Sequence, residues 1–195
     1  MAILKIISHN KTKAGMKKLL AYVLDPKKTR PYLCSVSGDF AKSEVTPQAV
    51  YREFVRIREL FTKTGGRICT HGVISFAPGE VQPEEAAAFA EDFVQRIYPE
   101  QQVLTATHID TGHIHFHFVV NCVRFTDGKM LHTSKKDLEH AKEVCNAMCR
   151  ERNWSIPQKG HDAEGNAFEE GTITSWSKNK WHQMEASPQK SYLVE

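Results

Sequence analysis

The spacing of apolar positions along the 195-residue chain changes several times, and each change marks an element. Residues 2–8, AILKIIS, form a short, largely apolar run that predicts a buried first strand. From 12 to 24 the apolar residues fall at Met16, Leu19, Leu20, Val23 and Leu24, the stripe of an amphipathic helix, with Lys13, Lys17 and Lys18 on the other side. Tyr22 borders that stripe, and Asp25-Pro26 ends the helix. Residues 27–46 carry Pro, Gly and Ser punctuation and read mostly as loop. A helix over 47–64 follows, with Pro47 in its first turn, Val50, Phe54, Ile57, Leu60 and Phe61 along one side, and Gly65-Gly66 as its stop. The pattern then predicts a strand over 68–76 and an acidic, alanine-rich helix over 83–98 that Pro99 closes.

Two extended segments come next, QQVLTATHI at 101–109 and a run rich in aromatic and β-branched residues at 113–123. Thr111-Gly112 is a plausible tight connection between them, which would set His108 opposite His115 and Asp110 opposite His113. Residues 126–129 turn the chain, and Ser134 caps a helix that runs to about 152 with Leu138, Ala141, Val144, Cys145 and Met148 inward. This order predicts an α+β fold, an antiparallel β-sheet with helices packed on one face and histidines on the other. Residues 1–155 form the core of one domain, and 156–195 an extension packed on or flanking it. Trp176 and Trp181 lie in that extension among lysines, a combination that can stack bases, although packing on the domain accounts for them equally well.

Composition narrows the class. The chain is 41% apolar, enough for a core, yet no 18-residue apolar run or secretory leader is present, so a cytoplasmic protein is expected. Cys34, Cys69, Cys122, Cys145 and Cys149 lack zinc-type CxxC spacing and read as reduced core thiols. No P-loop supports nucleoside-triphosphate chemistry. The net charge is only +3 but unevenly placed. Residues 1–30 hold eight Lys or Arg against one Asp, a local +7, whereas 80–100 hold six acids against one Arg, a local −5. That asymmetry points to one face meeting a polyanion.

The densest chemistry is HIDTGHIHFHFVVN, with four of the ten histidines between His108 and His117. In a strand, His113, His115 and His117 share one face, while Ile114, Phe116 and Phe118 share the other. Imidazoles converging on one divalent ion at about 2.0–2.2 Å, with positions left open, make a catalytic rather than a closed structural site. The alternative is a polar strand face whose histidines hydrogen-bond separately.

The spacing His108-x-Asp110-x2-His113-x-His115-x-His117-x3-Asn121 closely resembles the histidine motif of the mobilization relaxases, the MobA/VirD-type members of the HUH (His-hydrophobe-His) endonucleases. LLAYVLDPKKT resembles the family's tyrosine segment, THGVISFAP its strand before the motif, and DGKMLH with the following helix its continuation, so the likeness covers about residues 1–155. A tyrosine that precedes the histidines favours relaxases over rolling-circle initiators, in which it follows them. The resemblance implies a relaxase-like α+β fold and the N-terminal nuclease part of a longer chain. It implies metal ligands at His108, His115 and His117, with His113 and Asn121 as neighbours of the ligands, although His113 and His115 also form an alternative HUH pair. Tyr22 would be the nucleophile, with Tyr32 next in line; the motif does not fix the general base, for which Asp110 and His71 are the candidates, and Asp110, at the motif's acid, would alternatively orient His108 or another imidazole. An unactivated phenol is a poor nucleophile at neutral pH, so placement, a base or nearby positive charge must help.

The implied reaction is transesterification at one strand of single-stranded DNA at an origin of transfer, leaving a 5′-phosphotyrosyl adduct that can be rejoined. Lys11, Lys13, Lys17, Lys18, Lys27, Lys28 and Arg30 would hold the DNA backbone. The expected ion is Mg2+ or Mn2+, with Zn2+ or Ni2+ retained on purification. Accessory mobilization proteins and a secretion coupling protein are the implied partners. Two rivals stand beside this reading: a metal-dependent phosphodiesterase in which water attacks, and a non-catalytic nucleic-acid-binding module with a structural metal.

Overall fold

The computed structural model describes residues 2–41 and 44–157. Trp176, Trp181 and nearly all of the 156–195 extension lie outside the described residues. Five strands, Ile3–Asn10 (β1), Cys34–Ser37 (β2), Cys69–Ser75 (β3), Gln101–His108 (β4) and His115–Arg124 (β5), pair in the order β1-β3-β5-β4-β2. Every pairing is antiparallel. Among the described residues four helices accompany them: Lys13–Val23 (α1), Pro47–Leu60 (α2), Pro83–Ile97 (α3) and Lys135–Glu151 (α4). The antiparallel α+β fold expected from the sequence is therefore present.

Local chemistry sets the helix starts. Thr12 and Thr46 each accept a hydrogen bond from the backbone N–H three residues on, at the heads of α1 and α2. Ser134 and Asp137 form a reciprocal capping box at the head of α4. α2 stops at Leu60, short of the glycine pair that the sequence suggested as its end: Thr62 turns into the left-handed region at φ 52°, and Leu60 is left exposed.

The sheet is buried on both faces, which corrects the expectation of helices on one face only. Phe116, Phe118 and Val120 of β5 point into a cluster with Phe89, Ala90 and Phe93 of α3 and Ala141, Cys145 and Met148 of α4. Val119, one position out of phase, points the other way, into a cluster with Met16, Leu20 and Val23 of α1 and Val50 and Phe54 of α2. β5 is central, so its even and odd positions serve two different cores. His115 and His117 share the face of Val119, the face that α1 and α2 cover.

Two further differences concern connections. β2 lies inside the segment read as loop; it is a four-residue edge strand, half-buried throughout, too short and polar to stand out by alternation. The β4–β5 connection occupies 109–114 rather than a two-residue turn. His108 still pairs with His115, but Asp110 and His113 do not face each other across a ladder. All five cysteines are free thiols, Cys34 half-buried and the others buried.

Candidate active site

β4 and β5 bring three imidazoles together at the end of the α1-covered face. Register sets His108 beside His115, and the two-residue period of β5 sets His117 next to both. Ring centroids are 4.4 Å apart for His108 and His117, 5.2 Å for His115 and His117, and 5.3 Å for His108 and His115. One nitrogen from each ring lies within 4.8 Å of the other two.

The opposite nitrogen of each ring is held. His108 Nε2 donates to the carbonyl of Val23 at 2.9 Å, so its lone pair sits on Nδ1. His115 Nδ1 lies 3.4 Å from the carbonyl of His113 and 3.4 Å from Thr111 Oγ1. His117 Nδ1 is 2.9 Å from His71 Nε2 on β3. The nitrogens left over include His108 Nδ1 and His117 Nε2, both buried and without any hydrogen-bond partner. Orphaned buried imidazole nitrogens are costly, roughly 1–3 kcal/mol each, unless a ligand completes them. A divalent cation fits: three nitrogen donors from a β-hairpin, each oriented by a second hydrogen bond, leave coordination positions on one side.

Burial also keeps these rings neutral, the form a metal requires. Desolvation, with neighbouring histidines adding to it, pushes His117 down to about 2 and His71 to about 4. His108 and His115 are lowered for the same leading reason.

Tyr22, in the last turn of α1, stands edge-on to this cluster, its ring centroid 5.8 Å from His108 and 5.5 Å from His117. It is 45% exposed, so it borders the cluster and still faces solvent. Lys28 Nζ sits 5.2 Å from the Tyr22 ring centroid and forms a 2.7 Å ion pair with Asp110. The Ile109 N–H donates to the carbonyl of Lys28 at 2.8 Å, which ties the loop after α1 to the hairpin end. The hydrogen bond between Lys28 and Asp110 raises the lysine and holds the Asp110 carboxyl below its ordinary range.

Other residues singled out by sequence fall elsewhere. Asp110 bonds Lys28 rather than an imidazole. His71 lies behind His117, bonded to it, and not beside Tyr22. The exposed His113 ring is 5.4 Å from that of His115, and it is the His113 carbonyl that meets the His115 ring nitrogen. Asn121 bonds none of the three imidazoles: its Nδ2 donates to Phe54 O and Gln102 Oε1, and its Oδ1 accepts from Val123 N–H, tying β5 to α2 and β4. Tyr32 is 68% exposed on the 3-10 turn Pro31–Leu33. Among the basic residues, Lys17 lies over the Tyr51 ring, Lys13 approaches Glu59, and Arg30 donates to the carbonyls of Pro26 and Thr29. Lys11, Lys18 and Lys27 are exposed. The Val23 carbonyl and the approach of Lys28 to Tyr22 went unread in the sequence, because both depend on where α1 ends over the sheet.

Comparisons with known proteins show the family and the fold. A family model described as "Relaxase: MobA/VirD2-like, nuclease domain" matches residues 22–154. Two proteins named Protein rlx, from Staphylococcus aureus, are similar: one is 31% identical over 159 residues (79% of this chain, 45% of the relative), another 36% identical over 123 residues (63% and 36%). The chain thus spans less than half the length of these curated relatives. Two solved structures share the fold. One is a MobM relaxase domain bound to plasmid oriT DNA in a Mn-bound crystal, with TM-score 0.57 and 12% identity over 93% of this chain and 97% of that one. The other belongs to a study of the molecular basis of vancomycin resistance transfer in Staphylococcus aureus, with TM-score 0.56 and 10% identity over 80% and 96%.

Proposed function

The chain belongs to the MobA/VirD2-like relaxase family, and from that premise we propose that it is a metal-dependent DNA relaxase that cuts and rejoins one strand at an origin of transfer through Tyr22. The observation that carries this reading is the Tyr22 ring edge-on to two of the three clustered imidazoles, at 5.8 and 5.5 Å.

In this reaction the Tyr22 oxygen bonds to the phosphorus of one phosphodiester while the bond to the 3′ oxygen breaks, giving a 5′-phosphotyrosyl adduct and a free 3′ hydroxyl. Because the adduct keeps the ester, attack by a 3′ hydroxyl reverses the step without ATP. His108, His115 and His117 would hold a divalent ion, whose positive charge would offset the negative charge that builds on the phosphate oxygens. Mg2+ or Mn2+ is the working ion, and the three imidazoles also retain Zn2+ or Ni2+.

Lys28 places its ammonium beside the Tyr22 ring, where it would meet the negative charge of the attacked phosphate, and Asp110 anchors Lys28 there. Asp110 is engaged by Lys28 and His71 by His117, so the phenol proton passes to water at the half-exposed Tyr22, and the departing 3′ oxygen takes one up. The substrate is single-stranded or locally melted, because the attacked phosphate must reach a cluster set at the end of a covered sheet face. Lys11, Lys13, Lys17, Lys18, Lys27 and Arg30 hold the strand on either side, giving strong salt dependence. The reaction takes place in the cytoplasm, with accessory mobilization proteins and a secretion coupling protein as partners. Among the described residues, no helix is long and apolar enough to cross a membrane.

The test incubates the protein with cognate single-stranded oligonucleotide and Mn2+, then resolves the products on a denaturing gel. A protein–DNA adduct that disappears with EDTA and in Tyr22→Phe is expected. Cleavage without an adduct, or an adduct that survives Tyr22→Phe, would defeat the tyrosine mechanism.

A further inference from the structure

We propose, on the reading of His108, His115 and His117 as metal ligands, that His71 is a positioning residue: its Nε2 accepts the Nδ1 proton of His117 and so fixes the tautomer whose Nε2 carries the ligating lone pair.

A neutral imidazole has one N–H and one lone pair, so whatever meets one nitrogen decides what the other can do. For two of the three ligands the backbone makes that decision. His108 Nε2 faces the carbonyl of Val23, and His115 Nδ1 faces the carbonyl of His113. A carbonyl only accepts, so each of these rings must place its proton there and present its lone pair on the opposite nitrogen.

His117 is different, because its Nδ1 faces another imidazole at 2.9 Å. His71 Nε2 can donate or accept. If it donated, His117 would carry its proton on Nε2, which is buried and has no hydrogen-bond partner. A buried N–H without an acceptor would then point into the space between two other rings, and the third ligand would be lost. If His71 accepts, that nitrogen bears a lone pair aimed into the cluster. The geometry therefore requires His71 with its own proton on Nδ1.

His71 is placed firmly enough to act this way. It is only 4% exposed, so water does not compete for the bond. It sits on β3 in a continuous antiparallel ladder with β5, paired with Val119, two residues from His117. The His71 and His117 ring centroids are 5.0 Å apart at an interplanar angle of 37°. His117 is thus the ligand whose held nitrogen has a side chain and no backbone carbonyl as its partner, and the centre can be tuned there without altering a ligand.

The test measures metal binding and tautomer directly, not nicking. Isothermal titration of the EDTA-treated protein with Mn2+ should show His71→Leu, which fills the volume without an acceptor, binding 10–100-fold more weakly than the parent. His71→Gln, whose amide oxygen can stand near the lost Nε2, should recover to within a few-fold. Long-range 15N–1H spectra of the metal-free parent should show His117 protonated on Nδ1, and those of His71→Leu a mixture of tautomers. Melts in EDTA establish that the variants fold; should His71→Leu fail there, the parent spectrum and His71→Gln decide. Unchanged affinity in His71→Leu, a His71→Gln as weak as His71→Leu, or His117 protonated on Nε2 in the parent would each overturn the role. A parent protein that takes up no Mn2+ would instead overturn the assignment of the three ligands.

Discussion

Metal should stabilise this domain without being required for its fold, and the size of the effect can be worked out. The three imidazoles proposed to hold the metal sit at one end of a sheet face, while Met16, Leu20, Val50, Phe54 and Val119 fill the rest of that face and the α3 and α4 core fills the other. Neither cluster contains an imidazole, so removing the ion leaves both intact. What the metal-free state bears is the pair of orphaned nitrogens, His108 Nδ1 and His117 Nε2, at a cost of roughly 1–3 kcal/mol each. An ion that binds only the folded state adds RT ln(1 + [M]/Kd), about 2.7 kcal/mol at a hundredfold excess over Kd. In a domain of this size 1 kcal/mol moves the midpoint by roughly 2–4 °C, so saturation should raise Tm by about 5–11 °C. Differential scanning fluorimetry of EDTA-treated protein titrated with Mn2+ measures this. His115→Ala, at the half-exposed ligand, should abolish the rise while leaving the EDTA melting temperature nearly unchanged. A metal-free protein without a cooperative melt would make the metal structural, and a rise undiminished in His115→Ala would place the ion elsewhere.

Other outcomes follow from single contacts. In Gly72→Ala the new Cβ would lie 2.1 Å from Phe118 Cζ, and Phe118 is fully buried; a destabilisation of about 1–3 kcal/mol in chemical denaturation is expected, and an unchanged midpoint would contradict it. Lys28→Met should slow single-turnover nicking about tenfold or more without weakening Mn2+ binding, since Lys28 meets Tyr22 and Asp110 directly and reaches His108 and His117 only through its like charge; an equal loss of Mn2+ affinity would refute that division. In EDTA, stability should be fully present above about pH 6.5 and fall as pH drops toward 4. Burial holds His71 at about 4 and His117 at about 2, so the unfolded chain takes up protons that the native state refuses. The slope is up to roughly 1.4 kcal/mol per pH unit for each such histidine, and equal denaturation midpoints at pH 7.5 and pH 5 would refute it.

The sequence disclosed what repeats locally and concealed what depends on meeting another segment. Alternation in β5 separated His115 and His117 from Phe116 and Phe118, and the stripes at Met16–Leu20–Val23 and Val50–Phe54–Ile57 marked α1 and α2. It could not show that those two helices cover the histidine face, because Val119 is apolar whichever helix lies above it. β2 escaped because Cys34–Ser37 is a four-residue half-buried edge whose order comes from pairing with β4. Asn121 belonged to the motif by spacing, yet its amide bonds Phe54 and Gln102. His71 and Lys28 were both visible as residue types, but their partners, His117 and Asp110, lie 46 and 82 positions away, and only the β3–β5 register and the end of α1 bring them together.

The end of α1 explains why Tyr22 and the three imidazoles form one unit. The last carbonyls of a helix have no intrahelical donor and must find one elsewhere. For Val23 that donor is His108 Nε2, a contact spanning 85 residues. One hydrogen bond therefore completes a helix terminus, turns the His108 lone pair inward, and fixes the turn that carries Tyr22, the residue immediately before Val23. Had α1 run one turn further, its next residues would have covered the rings that Tyr22 now borders; Asp25-Pro26 prevents this, because the residue before a proline is driven out of helical backbone. The Asp-Pro step thus limits how much of the sheet α1 covers, and so leaves Tyr22 at the margin of the imidazole cluster, still 45% exposed.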